Sequence, residues 1–308
     1  MNIKIITPVF NDWEALKLLM QKTMQVFKDK NHTLSFVVVN DCSSLPYIAE
    51  DFRDFDIEVV HLISNLSHQR AIAIGISYVA DKEDYDLAVV MDSDGEDQPE
   101  HILDLISKSE QEPNKIIFAR RSKRSESFLF KLFYAIYKMV FKTLTGNIIT
   151  FGNFSLIPKA YIKKLAHVSE IWNNYPGGVI RSRLVFDSIP LDRGTRLAGK
   201  SKMNFTSLVL HGMSAISVFL DFTAVRILIF ASIMIFSSVV GSCIVLYYKF
   251  ILNQATPGWA SSLILAFFIV FLQGFFISLF ILFMVLSTRR YNSFIPYLGY
   301  KKFIDYID

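Results

Sequence analysis

From Ile227 to Tyr248 the chain carries no Asp, Glu, Lys or Arg, and a second charge-free run extends from Phe250 to Thr288. A bilayer core of about 30 Å is crossed by roughly 20 apolar residues in a helix, and both runs reach that length. Asn253, Pro257 and Gly258 supply a turn between them. The expectation is a transmembrane hairpin over 225–288, with spans at about 226–248 and 260–287. Helices this long and this apolar make poor soluble cores. Basic residues flank the outer ends (Arg226 before, Arg289, Arg290, Lys301 and Lys302 after), whereas the connecting loop has only Lys249. That asymmetry predicts both termini on the cytoplasmic side of an inner (cytoplasmic) membrane in a multi-pass chain. The opening "MNIKIITPVF" lacks a basic leader and is interrupted by Pro8, so it does not read as a signal peptide.

The other 200 or so residues have a soluble composition. A net charge of +4 suits an anionic membrane face, and no basic stripe with interleaved aromatics points to nucleic acid. Cys42 and Cys243 have no evident disulfide partner. "IKIITPV", "LSFVVVN", "IEVVHLI", "YDLAVVMD" and "KIIFAR" read as strands. They alternate with helical stretches, including "LPYIAEDFRD" and the Pro-started "PEHILDLISKSE". Near-continuous apolar strands separated by helices predict an α/β fold, a mostly parallel sheet covered on both faces. Functional groups of such sheets gather at the strands' carboxyl ends. Here those ends read Pro8–Asp12, Asn40–Ser44, Ser64–Asn65, Asp92–Asp97 and Arg120–Arg121. Neither GxGxxG nor a P-loop occurs, and His61 and His68 do not fit a zinc pattern; His68 is read as structural.

Residues 127–145 read as an interfacial helix, with Lys131, Lys138 and Lys142 on one face and aromatics around the rest. A weaker amphipathic segment covers 206–224. The predicted organisation is a cytoplasmic catalytic domain over 1–205, that juxtamembrane segment, the hairpin, and a cytoplasmic tail over 289–308. Gly241, with Ser237, Ser238 and Ser242, offers a small-residue face to another helix, which would serve a homo-oligomer.

The densest chemistry is "MDSDGEDQPE", 91–100. Residues two apart in an extended segment share a side, so Asp92 and Asp94 present carboxylates together. Hard oxygen ligands at an open strand end suit Mg²⁺ or Mn²⁺ shared with a diphosphate. Asp97 stands just before a proline-started helix, where it could be a general base or an N-cap.

With "PVFND", "VVVNDCSS", "MDSDGEDQPE", "FARR" and "RLAGKSKM" in this order, the chain resembles the family 2 glycosyltransferases of GT-A fold. More narrowly it resembles their polyprenyl-phosphate branch, the dolichol-phosphate mannose synthases and bactoprenol glucosyltransferases. The resemblance implies a Rossmann-like GT-A catalytic domain with amphipathic interfacial helices and a two-helix membrane anchor. It implies that Pro8, Phe10, Asp12, Val39, Asp41, Asp92 and Ser93 line a nucleotide sugar. It further implies that Asp94 holds the metal, that Arg196 and Lys202 grip phosphate, and that Arg121, beside Arg120, meets the acceptor phosphate. Many relatives have Ala, Leu and Gln where this chain has Ser93, Gly95 and Glu96, Pro in place of Gln98, and often Asp near Asn153.

The expected activity is an inverting, metal-dependent transfer of a sugar to polyprenyl (undecaprenyl) phosphate, giving a lipid-linked sugar for cell-surface glycans. Two rivals stand beside it: a family 2 transferase acting on a glycan or glycolipid hydroxyl, and a non-catalytic membrane scaffold that binds nucleotide sugar. A processive synthase is disfavoured, because the chain has no Gln-x-x-Arg-Trp and few spans.

Overall fold

A computed structural model describes residues 1–121, 128–199, 205–254, 258–290 and 294–308. They divide into two units. The first comprises Met1–Leu132, Ile149–Val218 and Ser293–Asp308, and the second Phe133–Ile148 and Phe219–Asn292.

The first unit is built on one eight-stranded sheet. Its strands are β1 (Asn2–Val9), β2 (Thr33–Asn40), β3 (Ile57–Leu62), β4 (Leu87–Val90), β5 (Ile116–Arg121), β6 (Ser155–Pro158), β7 (Phe186–Leu191) and β8 (Ile304–Ile307). Their spatial order is β7-β5-β6-β4-β1-β2-β3-β8. The β4-β1-β2-β3 block is parallel, as is β5 with β7; β6 and β8 run antiparallel to their neighbours. The central strands are buried on both faces, which is why their sequences show unbroken apolar runs. Ile5 and Val38 face a layer formed by α1 (Trp13–Phe27) and α3 (Glu100–Gln111). Ile6, Val37 and Val39 face the opposite layer, formed by α2 (His68–Val79), α5 (Lys159–Ala166) and α6 (Tyr175–Ser182).

The "LPYIAEDFRD" helix expected from sequence is only a 3₁₀ turn, Ala49–Phe52. Leu45 and Ile48 stay exposed, while Tyr47 and Phe52 fold back as rings against Trp13, so no continuous helical face is available to bury. Residues 294–308, expected to be a tail, belong to the sheet unit. After the short α10 (Pro296–Gly299), β8 pairs with β3, and Phe294 and Phe303 pack on Trp172.

The second unit contains most of α4 (Phe128–Thr145) together with α8 (Leu220–Phe250) and α9 (Trp259–Arg290). The preceding α7 (Phe205–Ser217) belongs to the first unit, with Leu210 and Met213 exposed. α8 and α9, 31 and 32 residues long, pack as an antiparallel pair. Gly241 abuts the Phe267 ring, and Gly274 abuts Ile235. Gly241, one of the small residues read as an oligomer contact, is therefore taken up by the chain's own second helix, while Ser238 is buried and Ser237 exposed. Both helices otherwise expose their apolar surface, Phe236 and Phe280 among them, and both are long and apolar enough to cross a membrane. Arg226 of α8 donates to the Lys142 and Thr143 carbonyls at 3.1 and 2.6 Å, a cation on the carbonyl end of α4. Ile136, Met139 and Val140 of α4 are exposed.

One glycine governs how α2 approaches the sheet. A Cβ on Gly75 would stand 2.5 Å from Ile6 Cγ2 and 3.1 Å from Val39 Cγ2. Gly75→Val should therefore force α2 off the sheet and cost about 1–3 kcal/mol. Thermal unfolding in detergent should show a midpoint several degrees lower; an unchanged midpoint would contradict this close packing.

Candidate active site

The carboxyl ends of β1, β2 and β4 converge, and the loops after β1, β2 and β3 carry unusual backbone. Asn11 (φ 55°), Cys42 (φ 55°) and Ser67 (φ 77°) are left-handed without being glycine. Asn tolerates that state, and here side-chain bonds fix the turn. The Asn11 amide oxygen accepts from Leu45 N at 2.8 Å and Ser44 Oγ at 3.1 Å, while Ser43 Oγ accepts from Asn11 N at 2.9 Å. Ser43 N in turn donates to Asn40 Oδ1 at 3.0 Å. The "PVFND" and "NDCSS" loops thus form one braced edge.

Arg196 links this edge to the acidic loop after β4. Its guanidinium donates to Asp12 Oδ2 at 2.5 Å and to Asp94 Oδ2 at 3.2 Å, and its Nε to the Ala198 carbonyl at 2.9 Å. The segment around it lies across 92–98. Gly194 N donates to the Glu96 carbonyl at 2.8 Å and Leu197 N to the Asp94 carbonyl at 3.0 Å, while Arg193 pairs with Glu96. Gly95, at φ 80°, leaves room for Leu197, whose side chain a Cβ would strike. A larger side chain at 95 would find that space filled.

Asp92 faces the start of α2. His68 Nε2 lies 3.0 Å from Asp92 Oδ1, and Asn153 Nδ2 lies 3.4 Å from the same oxygen. His68, read from sequence as structural, is therefore part of the acidic site; its isolation in the sequence gave no signal. Asp97 does not cap α3, whose N-cap is Pro99. Its Oδ2 instead accepts the Asp92 N–H at 3.1 Å, closing the loop on itself.

Of the residues expected to line a nucleotide, Pro8, Val39, Asp41 and Ser93 are buried. Val39 lies wholly in the core beneath α2 and offers a ligand no side-chain surface. Asp41 Oδ1 accepts from Leu66 N at 2.7 Å and holds the loop before α2. Phe10 is exposed, while Asp12, Asp92, Asp94 and Arg196 are half-buried. Arg120 is exposed near the end of β5; Arg121 ends that strand, but its side chain and the whole of Lys202 lie outside the described residues.

Crowding sets the charges. Burial, and then the Asp92 and Asp94 carboxylates, push Asp97 up to about 7, only partly offset by the Asp92 N–H and Arg193. Asp94 is raised by burial and then by Asp92, and Asp41 by burial. Burial would raise Asp92 too, but the His68 imidazolium and the Asn153 amide outweigh it and hold that carboxylate below its usual range. Burial works against the His68 cation, yet Asp92, Asp94 and Asp41 hold it above the usual histidine range. An all-oxygen donor set with surplus negative charge fits Mg²⁺ or Mn²⁺. Among the described residues no three His, Cys, Asp or Glu side chains converge to enclose an ion.

The glycosyl transferase family 2 model matches residues 4–165, just over half of the chain, which therefore belongs to that family. The chain is 26% identical over 273 residues to the uncharacterized glycosyltransferase YkcC of Bacillus subtilis (strain 168), covering 85% of this chain and 81% of that protein. It is 26% identical over 165 residues to the undecaprenyl-phosphate 4-deoxy-4-formamido-L-arabinose transferase of Photorhabdus laumondii, covering 52% and 48% respectively. Glucosyl-3-phosphoglycerate synthase from Mycobacterium tuberculosis, crystallised with Mn²⁺, UDP and glucosyl-3-phosphoglycerate, superposes with a TM-score of 0.53. It has 11% identity over 72% of this chain and 80% of that one. Mannosyl-3-phosphoglycerate synthase from Rubrobacter xylanophilus gives 0.52, with 11% identity over 71% and 72%. The fold is GT-A.

An aspartate raised above the ordinary carboxylate range favours the folded state when protonated, so Asp97's contribution is lost as pH rises through about 7. Asp97→Asn removes that loss. Its thermal midpoint should exceed the wild type's by about 2–4 °C at pH 8 and by much less at pH 5. Equal differences at both values would contradict the assigned repulsion.

Proposed function

We propose that this glycosyltransferase moves a sugar from a nucleotide-sugar donor to the phosphate of a polyprenyl lipid, such as undecaprenyl phosphate, with inversion at the sugar carbon. The observation that carries the reading is the meeting of Asp12, Asp92, Asp94 and Arg196 at the ends of β1 and β4. In this proposal Phe10 and Asp12 contact the nucleoside. Arg196 exchanges its carboxylate partners for the diphosphate, helped by Lys202. Asp94, with Asp92, would hold Mg²⁺ or Mn²⁺, which when bound supplies positive charge to the leaving nucleoside diphosphate.

The acceptor assignment rests on the state of Asp97. A phosphate monoester has a second pKa of about 6 and attacks as an anion, without a general base. A hydroxyl would need one. In this proposal Asp97, the base candidate, orders the acidic loop through the Asp92 N–H; its elevation to about 7 would equally suit a general base, so its Asn variant decides between the two acceptors. Arg120 and Arg121, at the end of β5, would receive that phosphate through guanidinium forks. A relative named for undecaprenyl phosphate points the same way. In this proposal α8 crosses the bilayer and α9 returns across it, and the arginines flanking the pair, Arg226, Arg289 and Arg290, support a cytoplasmic side for both ends.

Purified protein should form a lipid-linked sugar from undecaprenyl phosphate, Mg²⁺ and one of the common nucleotide sugars. Asp94→Asn and Arg196→Ala should each lower turnover about 10²–10³-fold. Asp97→Asn should stay within about tenfold of wild type, since a general base typically contributes 10²–10⁴. Near-complete loss in Asp97→Asn with donor binding intact, together with transfer to a hydroxyl, would overturn the acceptor assignment. Binding of nucleotide sugar without turnover on any acceptor would favour the scaffold reading.

A further inference from the structure

We propose that Gln69 and Asn153 are positioning residues that fix the hydrogen-bond polarity around Asp92. This rests on the reading above, in which Asp92 faces the bound cation and nucleotide. Tyr175 N, at the start of α6, lacks an intrahelical partner and can only donate. It donates to Gln69 Oε1 at 2.6 Å. With that oxygen committed, the other end of the amide is Nε2, which can only donate. It lies 3.0 Å from Asn153 Oδ1. The Asn153 group facing the site is then Nδ2, again a donor, 3.4 Å from Asp92 Oδ1. One backbone N–H thus settles the orientation of two amides and directs a third link at the carboxylate.

The chain of bonds is held rigidly. Gln69 is 6% exposed and Tyr175 is fully buried. Ser155 Oγ donates to the Asn153 carbonyl at 2.9 Å and lies 2.6 Å from the Tyr175 hydroxyl, tying both backbone segments together. Asn153 Nδ2 and His68 Nε2 lie 3.0 Å apart, and with the imidazole charged neither accepts from the other, so Asp92 Oδ1, at 3.4 and 3.0 Å, takes both protons. Two donors on one oxygen set the plane of the carboxylate. An aspartate at 153 could still accept from Gln69 but would turn a second anion toward Asp92. The amide in this chain avoids that, and Gln69 prevents it from flipping.

Two substitutions at Gln69 separate this role from simple packing. Gln69→Glu keeps the acceptor for Tyr175 N but removes the donor to Asn153, so Asn153 reverses and turns its oxygen on Asp92. Gln69→Met loses both bonds and leaves Asn153 free to keep its donor on Asp92. Binding of Mn²⁺ and UDP to the full chain in detergent, measured by calorimetry at pH 8, should weaken at least tenfold in Gln69→Glu and no more than about threefold in Gln69→Met. A packing role predicts the opposite order, since Gln69→Met loses more contacts. Asn153→Ala, which removes the donor without charging the interior, should weaken binding about fivefold. Equal or greater loss in Gln69→Met, or unchanged binding in Asn153→Ala, overturns the proposal. If the wild type binds no UDP, the nucleotide reading fails separately. Mn²⁺ alone, followed by its paramagnetic resonance, then reads the same order of variants, and a different order overturns the relay.

Discussion

Repulsion among carboxylates that the backbone will not let separate is the constraint on which this site depends. Asp92, Asp94 and Asp97 lie within six residues, on a loop too short to spread them. The consequence is visible in their protonation: Asp97 is driven up to about 7 while Asp92 is held ionised by His68. The protein balances this charge with cations brought from distant sequence, Arg193 and Arg196 on one side and His68 on the other. Such a balance is costly to keep unless something is meant to replace part of it.

The fold delivers these groups through ordinary packing. Parallel strands buried on both faces end at one edge, and the loops leaving β1, β2 and β4 meet there. Gly75 lets α2 lie close to β1 and β2, which puts His68 and Gln69 beside Asp92. Gly95 lets Leu197 settle on the acidic loop, which carries Arg196 to Asp94. Stability and site geometry are therefore coupled through two glycines, each of which removes a side chain where another element must come close.

Much of this was legible in the sequence. The continuous apolar runs of β1 to β5, the charge-free pair 227–248 and 250–288, and the Asp-x-Asp at a strand end follow from periodicity and charge alone. The remaining strands left weaker traces. β6 is four residues ending in proline, β7 is an edge strand containing Pro190, and β8 follows the hairpin, far from the strand it pairs with. The 45–54 segment had helical composition but no face to bury, and it became a turn. Within the site, the resemblance located Arg196, but its two aspartate partners lie 184 and 102 residues away. The bond between Gln69 and Asn153 spans 84 residues. No local pattern reports a contact that exists only once α2 and β6 are side by side. Asp97 carried a helix-cap signature, but the proline after it took the cap position and released the carboxylate to the Asp92 N–H.

The central claim is that Arg196 guards carboxylates whose working partner is a divalent ion shared with a diphosphate. The most direct measurement is a structure of the chain with Mn²⁺ and UDP, with the metal located by its anomalous signal. The account predicts one manganese peak against Asp94, next to Asp92, with the Arg196 guanidinium moved off Asp94 and onto the phosphates. A peak elsewhere, or Arg196 still bound to Asp94 beside an occupied nucleotide site, would contradict it.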